Sequence, residues 1–136
     1  MKVIYIAGPY RGPNAWAVEQ NIRAAEEVAA RVWAMGHVAL CPHANARHMD
    51  GVASDEVFLA GTLELMRRCD AVLLVPNWRD SEGVRAEVAE ADRLGIPVIG
   101  RSYTTNLGPN APRYAIVGAN SHIVDLVIDD LNEWIK

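Results

Sequence analysis

The sequence predicts a single α/β domain in which helices cover both faces of a mostly parallel sheet, an α/β/α sandwich. Short apolar segments alternate with longer segments of helical periodicity along the whole chain. Glycines follow two of the longer segments, where helices commonly end. A length of 136 residues suits one domain with a sizeable core. We therefore expect residues 1–136 to form one domain.

The sequence of the first part of the chain predicts a strand, a loop, a long helix and a second strand. The apolar segment Val3–Ala7 is the first strand, and Gly8–Pro13 has the glycines and prolines of a loop. Asn14 is a candidate N-cap for a helix from about Trp16 to Met35. A glycine ends this helix before the second strand, His37–Cys41.

The polar segment Pro42–Ser54 is long for a connection, and long loops in compact domains are usually functional or mobile. The later elements follow the same alternation of helix and strand. They are a helix over Asp55–Arg68, a strand over Ala71–Val75, a loop over Asp80–Gly83, a helix over Val84–Leu94 ended by Gly95, a strand over Pro97–Ile99, a turn-rich segment over Arg101–Pro112 and a helix over Ser121–Lys136.

Three loops are expected to meet at one edge of the sheet, because the carboxyl ends of parallel strands lie together. These loops are Gly8–Pro13, Pro42–Ser54 and Pro76–Gly83. Crossover connections between parallel strands are right-handed, so the predicted architecture is of the Rossmann or flavodoxin type. The candidate site lies where the three loops converge.

Composition limits the classes of function. The formal net charge of -4 argues against a protein that binds duplex nucleic acid, which would normally carry a basic face. No apolar run approaches the roughly 20 residues that cross a bilayer, and the N-terminus leads directly into a strand without a signal peptide. Two distant cysteines, Cys41 and Cys69, fit a reducing compartment. We expect a cytoplasmic protein with no membrane partner.

Two of the loops have residues that suit an anionic ligand. In Gly8-Pro9-Tyr10-Arg11-Gly12, glycines permit close approach to the backbone and Arg11 offers paired donors, although a plain turn explains the same residues. The glycine spacing is not that of a dinucleotide-binding loop. Ser81 and Gly83 precede a helix whose first amides attract anions, and a simple cap by Ser81 is the alternative.

Glu87 lies about one turn into the helix that follows the last of these loops. A glutamate there is usually a complement to the helix dipole. Its neighbours Glu82, Glu90 and Asp92 resemble an ordinary solvated face. The other interpretation places Glu87 in a site, and the local residues leave both open.

We expect no metal and no organic cofactor. Cys41, His43, His48 and Asp50 invite a zinc interpretation, but their spacing is not that of a structural zinc site. His43, directly after a proline, is a candidate for the wall of the crevice. No arrangement of residues supports a serine or cysteine triad.

Three segments, "IYIAGPYRG", "CDAVLLVP" and "DSEGVRAEVAEADRLGIPV", together resemble the nucleoside 2-deoxyribosyltransferases and the related 2-deoxynucleoside 5-phosphate N-hydrolases. The resemblance covers roughly the first hundred residues. It is greatest to a branch of small bacterial and phage proteins that share "PYRG", "PHAN" and "GTLELMRRCDAV". It implies cleavage or transfer at the N-glycosidic bond of a small nucleotide or nucleoside.

The resemblance also implies roles for individual residues. Glu87 matches the family's nucleophilic glutamate, which attacks the anomeric carbon, and Tyr5 matches a tyrosine near it. Ser81 matches a position that is serine in the phosphate-binding hydrolases and acidic in the transferases that take free nucleosides, which favours a nucleotide substrate. The remaining candidates for binding substrate or phosphate are Gly8, Tyr10, Arg11, Gly12 and Gly83.

One position departs from the family pattern. The family usually has an aspartate eight positions before the residue matched by Asp70, and here that residue is Thr62. Threonine cannot act as a general acid near neutral pH. Candidates for a replacement acid are Asp50, Asp55 and Glu56. Glu64 is a further candidate that faces the crevice less easily, and a position on the solvent side of its helix is the alternative for it.

Two other functions are alternatives, and the sequence favours the first of them over the second. Thr62 favours a nucleotide-binding protein that has lost turnover. A relationship to the phosphoribohydrolases that activate cytokinins is disfavoured, because the chain lacks a "PGGxGT" run. The family resemblance further implies a homodimer or larger homo-oligomer, and four tryptophans are candidates for its interface: Trp16, Trp33, Trp78 and Trp134.

Overall fold

A computed structural model of the protein describes residues 1–103 and 121–136. Most of the predicted turn-rich segment Arg101–Pro112 lies outside these residues. None of the helices in the described ranges is both long and apolar enough to span a membrane. The elements in chain order are β1 (Val3–Ala7), α1 (Ala15–Ala34), β2 (Val38–Leu40), α2 (Pro42–Asn45), α3 (Asp55–Arg67), β3 (Ala71–Leu74), a 3-10 turn (Trp78–Asp80), α4 (Glu82–Leu94), β4 (Val98–Ile99) and α5 (Ser121–Ile135).

Within residues 1–103 and 121–136, four strands form one sheet in the order β2-β1-β3-β4. Each neighbouring pair in this sheet is parallel. On the central strand β1, Tyr5 is in register with Leu40 of β2 and with Val72 of β3. The predicted α/β fold with a mostly parallel sheet is confirmed, and the carboxyl ends of the strands share one edge.

Helices cover both faces of this sheet. Successive residues of a strand point to opposite faces, so β1 contributes side chains to two cores. Ile4 and Ile6 of β1 are buried in a core shared with α1 and α5. Tyr5 and Ala7 are buried in a second core shared with α3 and α4. The side chain of Tyr5 therefore points toward the layer that contains Glu87.

Side-chain caps fix the starts of the long helices. Asn14 accepts a hydrogen bond from the Ala17 N–H at 2.9 Å, which confirms its predicted role. Ser54 caps α3 in the same way through the Val57 N–H. At the other end of α4, Gly95 has a φ of 73°, a left-handed conformation that glycine adopts without strain and that ends the helix as predicted.

Two predicted boundaries are corrected. The segment Pro42–Ser54 was expected to be a loop, but it begins with the short helix α2, whose first residue is proline, a favoured position. Helix α4 begins at Glu82 and not at Val84, because the Ser81 hydroxyl accepts the Val84 N–H at 3.3 Å and caps the helix two residues earlier. Gly83 consequently lies in the first turn of α4.

Candidate functional site

A tyrosine, a glutamate and a threonine meet between β1, α3 and α4. The residue Tyr5 is fully buried, and its hydroxyl interacts with both Glu87 and Thr62. Glu87 is partly exposed, but its Oε2 atom is buried and has no partner of regular hydrogen-bond geometry among the described residues. The interpretation of Glu87 as one more solvated acid therefore does not fit this position.

Glu87 faces the sheet because of its spacing on α4. Val84, Val88 and Ala91 are the buried residues of this helix. Glu87 follows Val84 by three residues and precedes Ala91 by four, so it shares their side of the helix. Glu90, in contrast, accepts hydrogen bonds from Arg67 of α3 and from Arg93, at distances of 2.6 to 3.1 Å.

Burial determines the protonation of the tyrosine–glutamate pair. It raises the pKa of Glu87 to about 7, and the nearby Tyr5 hydroxyl offsets part of this effect. Burial, followed by the charge of Glu87, raises the pKa of the Tyr5 hydroxyl, which stays protonated at neutral pH. The two groups lack regular hydrogen-bond geometry, so they interact over a longer distance or at a poorer angle. Near pH 7, Glu87 is present both as carboxylate and as carboxylic acid.

Thr62 occupies the α3 side of this cluster. Its hydroxyl donates to the Leu59 carbonyl at 3.0 Å, and it also lowers the pKa of Tyr5. The position where the sequence departs from the family pattern thus lies beside the tyrosine–glutamate pair. Glu64, on the same helix, is exposed and pairs with Arg67 and Arg68.

The segment between β1 and α1, residues 8–14, is called the first loop. Two of its side chains contact the connection between α2 and α3 and the start of α3. The Tyr10 hydroxyl donates to Asp50 at 2.9 Å, and Arg11 pairs with Asp55 at 2.7 Å. Both members of the Arg11–Asp55 pair are about four-fifths exposed, so the pair contributes little stability. The Arg11–Asp55 pair can therefore separate at little cost.

Two of the three candidate acids lie beside the first loop. Asp50 and Asp55 contact the first loop, and Glu56 is exposed in the first turn of α3. Within the described part of the chain, no hydrogen bond or ion pair joins any of these acids to the tyrosine–glutamate pair. The structure brings together Tyr5, Glu87 and Thr62. Separately, it joins Tyr10 to Asp50 and Arg11 to Asp55.

Two buried polar side chains hold the first loop from below. His43 lies beneath the loop, where its Nε2 is 2.8 Å from the Pro9 carbonyl and its ring contacts that of Tyr10 edge-on. Burial lowers the pKa of His43, so the neutral ring donates from Nε2. Asn21 donates to the Tyr10 and Arg11 carbonyls. Asn21 was not among the predicted site residues, and its signal in the sequence is a polar residue within the apolar stripe of α1 that is buried.

The glycines of the candidate site differ in the space that surrounds them. A Cβ on Gly8 would lie 2.7 Å from Val75 Cγ2, and one on Gly12 would lie 2.6 Å from the Cβ of Ala17, so both glycines allow close packing. Among the described residues, a Cβ on Gly83 would meet only the Ser81 hydroxyl, at 3.8 Å. These residues therefore leave the first turn of α4 sterically open on this side.

Gly8→Ala is expected to lower the free energy of unfolding by about 1–3 kcal/mol, because the added methyl group overlaps the stiff, buried side chain of Val75. Urea unfolding measures this change. The matched control is Gly83→Ala, where the methyl group has space and the helical position favours alanine. Equal stability of Gly8→Ala and wild type would show that the contact with Val75 is not restrictive.

In residues 1–103 and 121–136, no group of three His, Cys, Asp or Glu side chains is placed to hold a metal ion. Cys41 and Cys69 are free thiols. His43, which the zinc interpretation would need as a ligand, instead hydrogen bonds to the first loop.

Residues 2–100 match the profile of a family described as "Domain of unknown function (DUF4406)". The fold is similar to that of a solved 2-deoxyribosyltransferase from the psychrotolerant bacterium Bacillus psychrosaccharolyticus, with 23% sequence identity and a TM-score of 0.52. This likeness covers 71% of the present chain and 69% of the other. Among curated proteins, none matches the sequence. At this level of identity the likeness supports the α/β fold alone.

Proposed function

This chain belongs to the DUF4406 family, and we propose that it cleaves or transfers the N-glycosidic bond of a small nucleotide, with Glu87 as the nucleophile. The observation that carries the proposal is a sheet-facing glutamate with a buried oxygen beside a buried tyrosine. The resemblance of three sequence segments to the nucleoside 2-deoxyribosyltransferases points to the same class of reaction, and the chain shares the fold of a solved 2-deoxyribosyltransferase. The reaction needs no metal and no organic cofactor.

In the proposed reaction the Glu87 carboxylate attacks C1′ of the sugar. A new C1′–O ester bond forms while the C1′–N bond breaks, and its electron pair leaves with the base. Water or a second base then attacks C1′ and releases Glu87. The protonated Tyr5 hydroxyl stabilises and orients the carboxylate, because it interacts with Glu87 from within the sheet.

The departing base requires a proton. Tyr5 is a poor donor, because burial and the charge of Glu87 both raise its pKa. We propose that Asp50, Asp55 or Glu56 supplies the proton, directly or through water. Asp50 and Asp55 contact the first loop, and Glu56 follows Asp55 in the first turn of α3. Replacing each one by its amide should identify the donor through a specific change in the pH profile of base release.

Incubation with a panel of nucleoside and deoxynucleoside 5-monophosphates, scored for free base, tests the proposed function. We expect at least one monophosphate to release its base at a rate proportional to protein concentration. Absence of free base from the whole panel, with protein that binds the monophosphates, would favour the second candidate function.

That second candidate is a nucleotide-binding protein with weak or no turnover. Thr62 favours it, because a neutral hydroxyl stands beside the tyrosine–glutamate pair where the 2-deoxyribosyltransferases that the sequence resembles usually have an acid. Thr62→Asp separates the two candidates. A strong increase in base release from a nearly inactive protein supports the second, whereas a loss of an existing activity supports the first.

The site is expected to bind a nucleoside 5-monophosphate more tightly than the corresponding nucleoside. Arg11, the amides at the open first turn of α4 and the Ser81 hydroxyl suit a dianion. Calorimetry with a matched nucleoside pair measures the difference, and Arg11→Gln should reduce it. Equal affinities would point to a transferase that acts on free nucleosides.

We further propose that the protein forms a homo-oligomer, at least a dimer. Trp78 is buried and Trp134 partly buried within the chain, but Trp16 and Trp33 of α1 are 63% and 56% exposed. Large exposed aromatic side chains are typical of interfaces. Light scattering at micromolar concentration is expected to give at least the dimer mass, and a monomer mass would contradict this proposal.

We also propose that the protein acts in the cytoplasm. Its two cysteines are free thiols, and one of them is buried. Free thiols persist in a reducing compartment.

A further inference from the structure

We infer that Asn21 and His43 position the first loop so that the backbone N–H groups of Tyr10, Arg11 and Gly12 together bind an oxyanion. The inference rests on the proposed function for the identity of the natural ligand, the 5-phosphate of a nucleotide. It assigns the two buried side chains a role in binding through the loop that they hold.

Three successive carbonyl groups of the first loop are tied to buried donors. His43 Nε2 donates to the Pro9 carbonyl at 2.8 Å. Asn21 Nδ2 donates to the Tyr10 carbonyl at 3.1 Å and to the Arg11 carbonyl at 3.2 Å. Only 3% of Asn21 and 6% of His43 are exposed, so these carbonyl groups point into the protein.

The orientation of the carbonyl groups determines that of the N–H groups. In a trans peptide the carbonyl of one residue and the N–H of the next point in opposite directions, and the described chain contains no cis peptide bond. The N–H groups of Tyr10, Arg11 and Gly12 therefore point away from Asn21 and His43. Across the described residues, none of these three N–H groups donates a hydrogen bond.

Successive free N–H groups on one side of a loop form a concave site for an anion. The Arg11 side chain adds a positive charge at the same loop, but it is exposed and paired with Asp55. Anion binding at this loop thus has two contributions. The backbone N–H groups are held in place by Asn21 and His43, whereas the Arg11 side chain is exposed and can change its partner. Because Asn21 and His43 hydrogen bond to the backbone of the loop and not to the Arg11 side chain, their loss should weaken anion binding even when Arg11 is intact.

Titration of the wild-type protein with inorganic phosphate, followed by amide proton and nitrogen shifts, tests the inference. We expect the amide protons of Tyr10, Arg11 and Gly12 to move downfield together with one dissociation constant. In Asn21→Leu and His43→Leu the affinity for phosphate should fall at least about tenfold, with loss of these shifts. His43→Gln should retain them, because its amide can donate from nearly the position of Nε2.

Val28→Ala is the matched control for lost stability, since Val28 is buried on the same side of α1 two turns after Asn21. It should unfold more easily and still bind phosphate as the wild type does. If Asn21→Leu does not fold, the two His43 variants still decide, because only one of them keeps the donor. Unchanged amide shifts at the three residues, or full affinity in His43→Leu, would overturn the inference.

Different experimental results would contradict this inference and the proposed function. Phosphate binding by the three amides without base release from any monophosphate would contradict the proposed reaction only. Base release without involvement of the three amides in phosphate binding would contradict the inference only.

Discussion

Replacing Glu87 by Gln is expected to lower base release from the best monophosphate by at least about a thousandfold. The amide has nearly the shape of the carboxyl group, so it should keep the contact with Tyr5, but it cannot form the ester bond to C1′. The affinity for the monophosphate should change little, because the proposed anion contacts come from the first loop and the start of α4.

Steady-state turnover and calorimetry of the same preparation measure both quantities. Glu82→Gln is the matched control, because it removes an exposed carboxylate from the first turn of the same helix. This control should retain wild-type turnover. Retention of wild-type turnover by Glu87→Gln would exclude Glu87 as the nucleophile.

The same variant is expected to be more stable than the wild type near neutral pH, by up to about 3 kcal/mol. Burial raises the pKa of Glu87 from 4.5 to about 7 in the folded protein. Between these values the unfolded chain has lost the proton and the folded protein keeps it, so the contribution of Glu87 to stability falls as the pH rises. Above about pH 7 both states are ionised and the full penalty remains.

Glutamine has no proton to lose, so the stability difference should be small near pH 4.5, grow with pH and become constant above about pH 7. Urea unfolding at several pH values measures it. Glu82→Gln should show no increase of this kind. A difference that is independent of pH, or a variant that is less stable at pH 8, would show that burial does not destabilise the Glu87 carboxylate.

Much of the fold could be predicted from the sequence, because local patterns determine it. The apolar run of β3 and the glycine after α4 mark their elements without knowledge of the rest of the chain. Helix α2 was not predicted, because Pro42–Asn45 is too short for helical periodicity to show. The early start of α4 depends on which polar residue provides the cap, and both Asp80 and Ser81 are suitable types.

The candidate site could be predicted only in part. Local residues left two interpretations of Glu87, since its burial depends on Tyr5 from β1 and on α3, which are distant in sequence. The glycines of the first loop suggested contact with a ligand, which stays a prediction, and their close packing against Val75 and Ala17 could not be predicted because it depends on tertiary structure. Asn21 was missed because its partners are backbone carbonyl groups, which any residue type provides.

The stereochemistry of the product tests the central claim, that Glu87 acts as a nucleophile, most directly. Two successive displacements at C1′ retain the configuration of the substrate, whereas a single attack by water inverts it. With methanol as the acceptor the product is a stable glycoside, and proton spectra distinguish its two anomers. A β-nucleoside monophosphate should give the β-methyl glycoside 5-phosphate, and formation of the α anomer would contradict a covalent intermediate on Glu87.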